Sequence, residues 1–366
     1  MFKKIIPSMA LIAIFLIACS GETPAVEPQT TAAESEPSAL NQADLDAVKQ
    51  YALDNAQEMK ASTAALLTSA QAYHDLIATH EFDYEAAWAA EAETLIQQTT
   101  DLKNHWVTAS QYYELDEGIV AGVPSLAFYD VWIDAGPSAA EDPAEAYEWT
   151  LELPDGTTLE SPGNFFHSIL EPTIWGTKPA FTGIQADLNG DGELVIGEAL
   201  PNANVLLGAA EGLDQATAEM VTAIEAWEPT TSDAFTALVV MIPTMNEYFE
   251  QWKLSAYVSG EAAEETAFIG ASRLFDITSI LNGLDVTYQN VSVLVEGADT
   301  DLDAQINDGF NDLRSYVDDL YTQEQNGTTF TAEQADLFGT EAQAKATALS
   351  GQVAQAAALL EVEIAE

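Results

Sequence analysis

The chain is poor in cysteine, histidine and basic residues. Its 366 residues include one cysteine, four histidines and ten lysines and arginines, against 60 aspartates and glutamates. A single cysteine excludes an internal disulfide, so stability must come from a buried core. The formal charge of −50 excludes nucleic acid and anionic lipid headgroups as partners, because both would be repelled. The acidic excess either concentrates cations at the surface or serves solubility in a saline medium.

Motifs for covalent or zinc-dependent catalysis are also missing. The sequence contains no Gly-x-Ser-x-Gly elbow, no phosphate-binding glycine loop and no His-Glu-x-x-His helix. We therefore expect a protein that is not an enzyme.

The first residues have the pattern of a bacterial lipoprotein signal. Two lysines precede an apolar run, Ile5 to Ile17, that is too short to span a bilayer. Residues 1–18 are predicted to be a signal peptide, and Cys19 the lipid-modified N-terminus of the mature protein. The alternative is a short membrane anchor with an incidental cysteine. The serine after the cysteine favours the outer membrane, so we expect a lipid-anchored protein on its periplasmic face or exterior. Residues 19–40 are predicted to be a disordered tether.

The rest of the chain is dominated by helical patterns. Apolar residues recur at three- and four-residue steps from Leu45 to Thr63, which predicts a long amphipathic helix, and a second is predicted from Tyr84 to Val120. Residues 135–162 are predicted to form a long connection that contains a small hairpin, with its turn at Pro154-Asp155-Gly156. After residue 201 helical patterns continue almost to the end.

These patterns predict an all-α fold of two helical bundles with a small β-hairpin insertion. We place the seam between residues 177 and 202. The predicted domains are an N-terminal bundle of residues 41–185, an EF-hand-like loop of residues 186–200 and a C-terminal bundle of residues 201–366.

The segment DLNGDGELVIGE has the spacing of an EF-hand calcium loop, with a glycine at position 6 for the sharp turn. Its expected oxygen ligands, at positions 1, 3, 5, 7 and 12, are Asp187, Asn189, Asp191, the carbonyl of Glu193, and Glu198. The sequence has no second EF-hand loop to pair with this one, and the preceding segment GTKPAFTG is unlike the helix that leads into an EF-hand loop. We therefore expect one stabilising Ca²⁺ near the seam rather than a sensor, the alternative being an acidic turn without an ion.

The segment GNFFHSILEPTIWG places a histidine four residues before a glutamate. On one helix His167 and Glu171 share a face and can hold a cation between imidazole and carboxylate; the alternative is a histidine packed among phenylalanines. Glu114 and Glu117 lie near a helix C-terminus, where acids are unfavourable unless a positive charge is close. A buried carboxylate cluster without lysine or arginine needs a cation, and a metal ion is a plausible one in so acidic a chain.

Several segments resemble imelysin-like proteins. Trp106, Tyr113 and Glu117 follow the family's W-x6-Y-x3-E spacing, Ile133-Asp134 matches its Ile-Asp, and FFHSILEPTIWG is similar to its Gly-x-His-x-x-Glu segment. The C-terminal half, including EYFEQWK, AFIGASRLFDITSILNGL and GFNDLRSYVDDLY, resembles the EfeO/EfeM branch of ferrous-iron uptake proteins. The resemblance covers roughly residues 41–366. It implies two four-helix bundles, metal binding by the His/Glu segment and no established peptidase chemistry.

The chain departs from this family pattern at three positions. Phe165 stands where the family has glycine, Ala121 stands where the iron-uptake branch often has glutamate, and Glu171 follows His167 by four residues rather than three. An extra residue inside a helix is accommodated as a π-bulge. We therefore predict a bulge near Leu170 that returns Glu171 to the ligand position.

Together, these features predict an extracytoplasmic lipoprotein that binds Fe²⁺, Zn²⁺ or a similar ion for uptake, since imidazole with carboxylates suits such ions. The predicted ligands and their supporting residues are His167, Glu171, Glu117, Glu114 and Asp134. Arg273 and Asp276 are expected either behind these ligands or as an internal salt bridge of the second bundle. An iron permease or a peroxidase is the expected partner. The alternatives are a calcium-stabilised module that binds a polysaccharide or protein, and last a peptidase.

Overall fold

The computed structural model describes residues 42–260, 263 and 267–365. The predicted signal peptide of residues 1–18, the lipidated Cys19 and the tether of residues 19–40 lie outside these ranges. The described chain is mostly helical, with two short antiparallel strand pairs, so the all-α prediction is confirmed. Within the described ranges no helix is both long and apolar enough to cross a membrane.

Two long helices open the described chain, as the sequence predicted. Helix α1 spans Leu45–Thr79 and helix α2 spans Tyr84–Val120. Each begins after an aspartate, Asp44 or Asp83, whose carboxylate accepts a hydrogen bond at 3.0 Å from a backbone N–H of the first turn. The short turn between the helices packs α2 back along α1.

Short elements follow α2. They are helix α3 (Ala127–Asp130), a π-helix π1 (Val131–Ala135), strands β1 (Thr150–Glu152) and β2 (Thr158–Glu160), a second π-helix π2 (Phe165–Leu170), helix α4 (Glu171–Ile174), and strands β3 (Thr182–Gln185) and β4 (Ala199–Pro201). Strands β1 and β2 form the predicted hairpin, with Leu151 opposite Leu159. The π-helix π2 ends at Leu170, so the predicted location of the π-bulge is confirmed.

The remaining helices are α5 (Ala203–Ala226), α6 (Thr231–Met241), α7 (Met245–Leu254), α8 (Ala256–Ser259), α9 (Arg273–Ala298), α10 (Thr300–Gln325) and α11 (Ala332–Leu359). Threonines begin two of them with capping boxes: Thr230 precedes α6 and Thr331 precedes α11. The breaks between these helices fall at the polar and glycine-containing segments that interrupt the apolar periodicity.

Buried apolar side chains form two clusters. The first is built mainly by α1, α2, π2, α4 and α5, and the second mainly by α6, α7, α9, α10 and α11. Helix α5 therefore packs with the first cluster, through residues such as Leu206, Leu213 and Met220, and not with the later helices to which we assigned it. The change of cluster comes after Trp227 rather than between residues 177 and 202. Periodicity identified the apolar face of α5, but it could not identify the helices that cover that face.

Glycines bring α2 close to helices of the second cluster. A Cβ atom at Gly118 would lie 2.8 Å from the side chain of Leu284, and one at Gly283 would lie 2.4 Å from the carbonyl oxygen of Leu115. At Gly122 a Cβ atom would lie 2.6 Å from the Cα atom of Ala237. These close approaches bring the C-terminal end of α2 against α6 and α9, where the acids of α2 meet the beginning of α9.

We expect Gly283→Ala to lower the free energy of unfolding by about 1–3 kcal/mol, because the added methyl group must displace backbone. The matched control is Gly351→Ala, at an exposed position of α11 where an added Cβ atom would meet nothing within 4 Å. That change should stabilise the protein by about 0.5–1 kcal/mol through helix propensity. Urea unfolding measures both effects, and equal stability of the two variants would contradict the close approach.

Candidate metal centre

A cleft of about 500 Å³ opens beside the C-terminal end of α2. It is lined by side chains from α2, α3, π1, π2, α7 and the beginning of α9, among them Glu117, Asp130, Asp134, His167, Tyr248 and Arg273. Residues far apart in the sequence thus meet at one place. Most of the polar side chains that meet there are buried.

The π-helix π2 positions His167. Asn164 caps this helix by accepting hydrogen bonds from the backbone N–H groups of His167 and Ser168, at 2.7 and 3.2 Å. The imidazole is 7% exposed, and its Nδ1 atom lies 2.8 Å from Oε2 of Glu171. Its Nε2 atom lies 3.1 Å from Oδ1 of Asp134, without the geometry of a hydrogen bond.

The carboxylate of Glu171 is fully buried and fully bonded. Besides contacting His167, it accepts hydrogen bonds from the backbone N–H groups of Phe268, Ile269 and Gly270 at 2.8, 2.6 and 2.7 Å. We expected Glu171 as a ligand or as support for one, and these contacts favour support. A histidine that ligates a metal typically donates its other N–H to such a carboxylate, which orients the ring. In the neutral ring with its proton on Nδ1, directed at Glu171, the lone pair of Nε2 can bind an ion.

The carboxylates predicted from the sequence gather on the Nε2 side of the ring. Potential ligand atoms of Glu114, Asp134 and His167 all lie within 4.8 Å of one another, and all three residues are buried. Ligand atoms at about 2.1 Å from one ion stand roughly 3.4–4.2 Å apart, so a small adjustment of side chains suffices to enclose an ion.

Several buried polar atoms of this cluster have no hydrogen-bond partner among the described residues. They are Oε1 and Oε2 of Glu114, Oε2 of Glu117, Oδ1 of Asp134, Nε2 of His167 and Oδ1 of Asp276. Leaving such atoms buried and unpaired is costly, and a bound cation would pair them. The donor set of imidazole nitrogen and carboxylate oxygen therefore fits a divalent transition metal.

A basic residue does lie among these acids, so our expectation of a carboxylate cluster without lysine or arginine was wrong. Arg273 is buried among them, with its guanidinium 3.0 Å from Asp276 and 3.7 Å from Glu114. It lies over the rings of Phe268 and Tyr248, 4.3 and 4.8 Å from their centres. Its ion pair with Asp276 lies within α9, its Nε atom donates to Oε1 of Gln251 on α7 at 2.8 Å, and it reaches Glu114 on α2, so it joins two helices of the second cluster and also contacts the first. Both residues lie directly behind the candidate ligands.

Residues missed by the sequence analysis complete the lining. Asp130 lies one turn before Asp134 and accepts a hydrogen bond from the hydroxyl of Tyr113 at 2.6 Å. The hydroxyl of Tyr248 donates to Oε1 of Glu117, also at 2.6 Å. Potential ligand atoms of Glu117, Asp130 and Asp134 again lie within 4.8 Å of one another. The four-residue spacing of Asp130 and Asp134 was the available signal for this second group.

Burial and mutual repulsion shift the pKa values of the cluster. Burial lowers the pKa of His167, but Asp134 and Glu171 outweigh burial and raise it to about 10. Burial raises the pKa of Glu117 to about 6, helped by the charge of Asp134, and raises that of Asp276 to about 6 against the opposing effect of Arg273. Burial and neighbouring acids also raise the pKa of Glu114 well above its ordinary range. A metal ion therefore competes with bound protons, above all with the proton of His167.

The predicted calcium loop lies between strands β3 and β4 rather than between helices, so only the loop resembles an EF-hand. Oxygen atoms of Asp187, Asp191 and Glu198 lie within 4.8 Å of one another. The side chain of Asn189 bonds to Asp191, and the backbone N–H of Glu193 donates to the same aspartate at 2.8 Å. Three of the five predicted ligands are thus gathered in one group.

These features define the class of the protein. It is mostly helical, and its buried acidic and histidine side chains could hold a metal ion. The chain belongs to the imelysin family, since the Imelysin family model matches residues 163–360. The matched segment contains His167, Glu171, Arg273 and Asp276, whereas the acids of α2, α3 and π1 precede it. No curated protein matches the chain at a significant level.

We expect the metal-free protein to melt at a lower temperature as the pH rises from 5 to 9. Groups whose pKa is raised on folding stabilise the folded state below their unfolded pKa and lose that effect as the pH passes their folded pKa. For Glu117 and Asp276 this loss runs from about pH 4 to 6, and for His167 it runs from about pH 6.5 to 10. Calorimetry should record a fall of at least about 5 °C, at roughly 2–4 °C per kcal/mol.

The control for this prediction is His167→Ala, which should reduce the part of the fall above pH 7. Saturating Zn²⁺ should reduce the fall in the unmodified protein, because the ion takes the place of the protons. A melting temperature that rises steadily from pH 5 to pH 9 would contradict the direction of these pKa shifts.

Proposed function

We propose that the protein is an extracytoplasmic metal-binding lipoprotein that takes up Fe²⁺, or a similar divalent ion, for transport. The observation that carries this proposal is the buried Nε2 atom of His167, which lies beside oxygens of Asp134 and Glu114; none of these atoms has a hydrogen-bond partner among the described residues. Members of the imelysin family are linked to iron uptake, which agrees with this role.

The choice of a transition metal follows from the ligand types. Ca²⁺ and Mg²⁺ prefer oxygen ligands alone, whereas imidazole together with carboxylates suits Fe²⁺ and Zn²⁺. Glu171 gives the histidine the orientation that such ions require, and the open cleft gives the ion a route to Asp134 and His167. Arg273 compensates part of the negative charge of the acids and leaves enough of it to attract a cation.

We propose a binding role rather than a catalytic one, although the name of the matched family model includes the word peptidase. The sequence has no His-Glu-x-x-His segment of the kind that peptidases use to hold zinc. Three buried side chains would bind the ion, and residues hydrogen-bonded to these side chains and their neighbours would hold them in place. Such a site suits reversible storage and transfer of the ion.

We further propose that lipid on Cys19 holds the protein at the outer membrane, with its acidic surface drawing cations toward the cleft. The formal charge of −50 supports this attraction. An iron permease, or a peroxidase that acts with one, is the proposed recipient of the ion. Membership of the EfeO/EfeM branch would explain this partnership.

The loop of residues 187–198 is proposed to bind one Ca²⁺ as a structural clip. Its last residues contact the elements near the metal centre: the backbone N–H of Gly197 donates to the carbonyl of Trp175 at 3.1 Å, and Lys103 donates to the carbonyl of Gly197 at 2.6 Å. Ordering of this loop by calcium would stabilise the contact with Trp175.

Titration of the metal-stripped protein with Zn²⁺, and with Fe²⁺ without oxygen, tests the proposed function. We expect a tight site that His167→Ala abolishes and whose affinity Glu171→Gln weakens by about 10–100-fold, the range typical of residues that orient a ligand. The matched control is His105→Ala, on α2 outside the cluster. Calorimetric affinities that do not distinguish His167→Ala from His105→Ala would refute the proposed site.

Calcium should raise the melting temperature of the protein relative to chelator, by the equivalent of about 2.7 kcal/mol at a hundred times the dissociation constant. Glu198→Gln should remove most of this stabilisation, because it replaces the bidentate acid at position 12. Glu193→Gln is the matched control, since its ligand is the main-chain carbonyl, and it should retain the response. Identical melting curves with calcium and with chelator would show that the loop is a metal-free acidic turn.

A further inference from the structure

We propose that the centre binds two divalent cations, with the carboxylate of Asp134 bridging them. The inner ion lies among Glu114, Asp134 and His167, and the outer ion lies among Glu117, Asp130 and Asp134. This inference rests on the proposed function, because it assumes that the cluster binds divalent metal at all.

The two groups share one residue and no other. Each group has its potential ligand atoms within 4.8 Å, and Asp134 belongs to both. An ionised carboxylate has two oxygens with about four lone-pair directions, so one aspartate can ligate two ions at once. Pairs of ions held in this way stand about 3.5–4 Å apart in proteins, a separation that one carboxylate spans.

One ion leaves part of the cluster unpaired. An ion in the inner group would use Glu114, Asp134 and His167, but Oε2 of Glu117 would stay buried without a partner. Although Glu117 lines the cleft, the residue is 3% exposed and this oxygen has almost no accessible surface, so water does not readily replace the missing partner. A second ion in the outer group pairs this oxygen.

Tyrosine hydroxyls donate hydrogen bonds to the carboxylates of Glu117 and Asp130 and so orient them. Tyr248 donates to Oε1 of Glu117 and Tyr113 donates to Oδ1 of Asp130, each at 2.6 Å. Each tyrosine occupies one oxygen and leaves the other for an ion. This arrangement matches the second layer that commonly orients metal ligands.

The charge of the cluster also favours two ions. Five carboxylates interact with one arginine, Arg273, and a sixth, that of Glu171, contacts His167; the five are those of Glu114, Glu117, Asp130, Asp134 and Asp276. With a neutral His167, five negative charges remain when all the acids are ionised. One divalent ion offsets two of them and two ions offset four, which leaves a buried site close to neutral.

Exposure distinguishes the two groups. Asp130 is half-buried and lines the cleft together with Glu117, whereas Glu114 is fully buried and does not line it. Asp134 and His167 line the cleft as well, so the cleft reaches both groups. The inner group is the more deeply buried, and Asp134 connects it with the outer group.

Mn²⁺ binding to the full chain, purified in detergent, tests this inference. Glu198→Gln is included in every sample so that the calcium loop binds no ion. We expect two Mn²⁺ per chain after gel filtration, with the electron paramagnetic resonance spectrum of a spin-coupled pair. Asp130→Asn, which keeps an oxygen for Tyr113, should retain one Mn²⁺ with an uncoupled spectrum.

The matched control is Asp116→Asn, which removes a buried acid from the same region of α2 but outside both groups. It should retain two coupled ions. One Mn²⁺ in the unmodified cluster, unchanged by Asp130→Asn, would overturn the second site and leave the proposed function intact. Two ions without spin coupling would overturn the bridge. Absence of any bound Mn²⁺, Zn²⁺ or Fe²⁺ would overturn the proposed function, and this inference with it.

Discussion

The buried carboxylate of Glu171 is the group on which the metal centre depends. It bonds to Nδ1 of His167 on one side and to three consecutive backbone N–H groups, from Phe268 to Gly270, on the other. These bonds keep a charged group inside the protein and direct the opposite nitrogen of the ring at Asp134. They also tie π2, which packs in the first apolar cluster, to the segment that leads into α9 of the second. Hydrogen bonds to a charged, desolvated acceptor are among the stronger ones in proteins, so the position of the ring is well defined.

The π-helix π2 carries His167 and leads directly into Glu171, so its backbone sets the positions of both side chains. His167 and Glu171 are four residues apart, so on a regular helix they would also share a face. The wider turn of π2 changes the direction in which they point, and in this arrangement Glu171 meets both His167 and the backbone N–H of Phe268. Such turns occur frequently at functional sites, where the cost of irregular backbone is offset by the position that it gives to a side chain.

Acids and histidine reach the centre from different parts of the chain. The family match begins at residue 163 and so contains the histidine and its supporting glutamate, while the acids that complete the cluster come from α2, α3 and π1. The close approach of α2 to α6 and α9 through glycines brings these acids against Arg273. Packing of apolar helices thus supplies the free energy that holds several carboxylates together against their repulsion. A cation would lower that repulsion, so metal binding at the candidate centre would also stabilise the folded protein.

The sequence by itself determined the long helices, the hairpin, the π-bulge and most of the candidate ligands. Apolar spacing, caps and motif spacing are local properties, and local geometry translates them directly into helices and turns. Only the tertiary structure decided that α5 packs in the first cluster, that Arg273 lies among the acids, and that Asp130 belongs with Glu117 and Asp134. It also decided that Glu171 is bonded by the backbone of residues 268–270. These facts depend on which faces meet across long stretches of chain, and a periodic pattern specifies a buried face without specifying its neighbour.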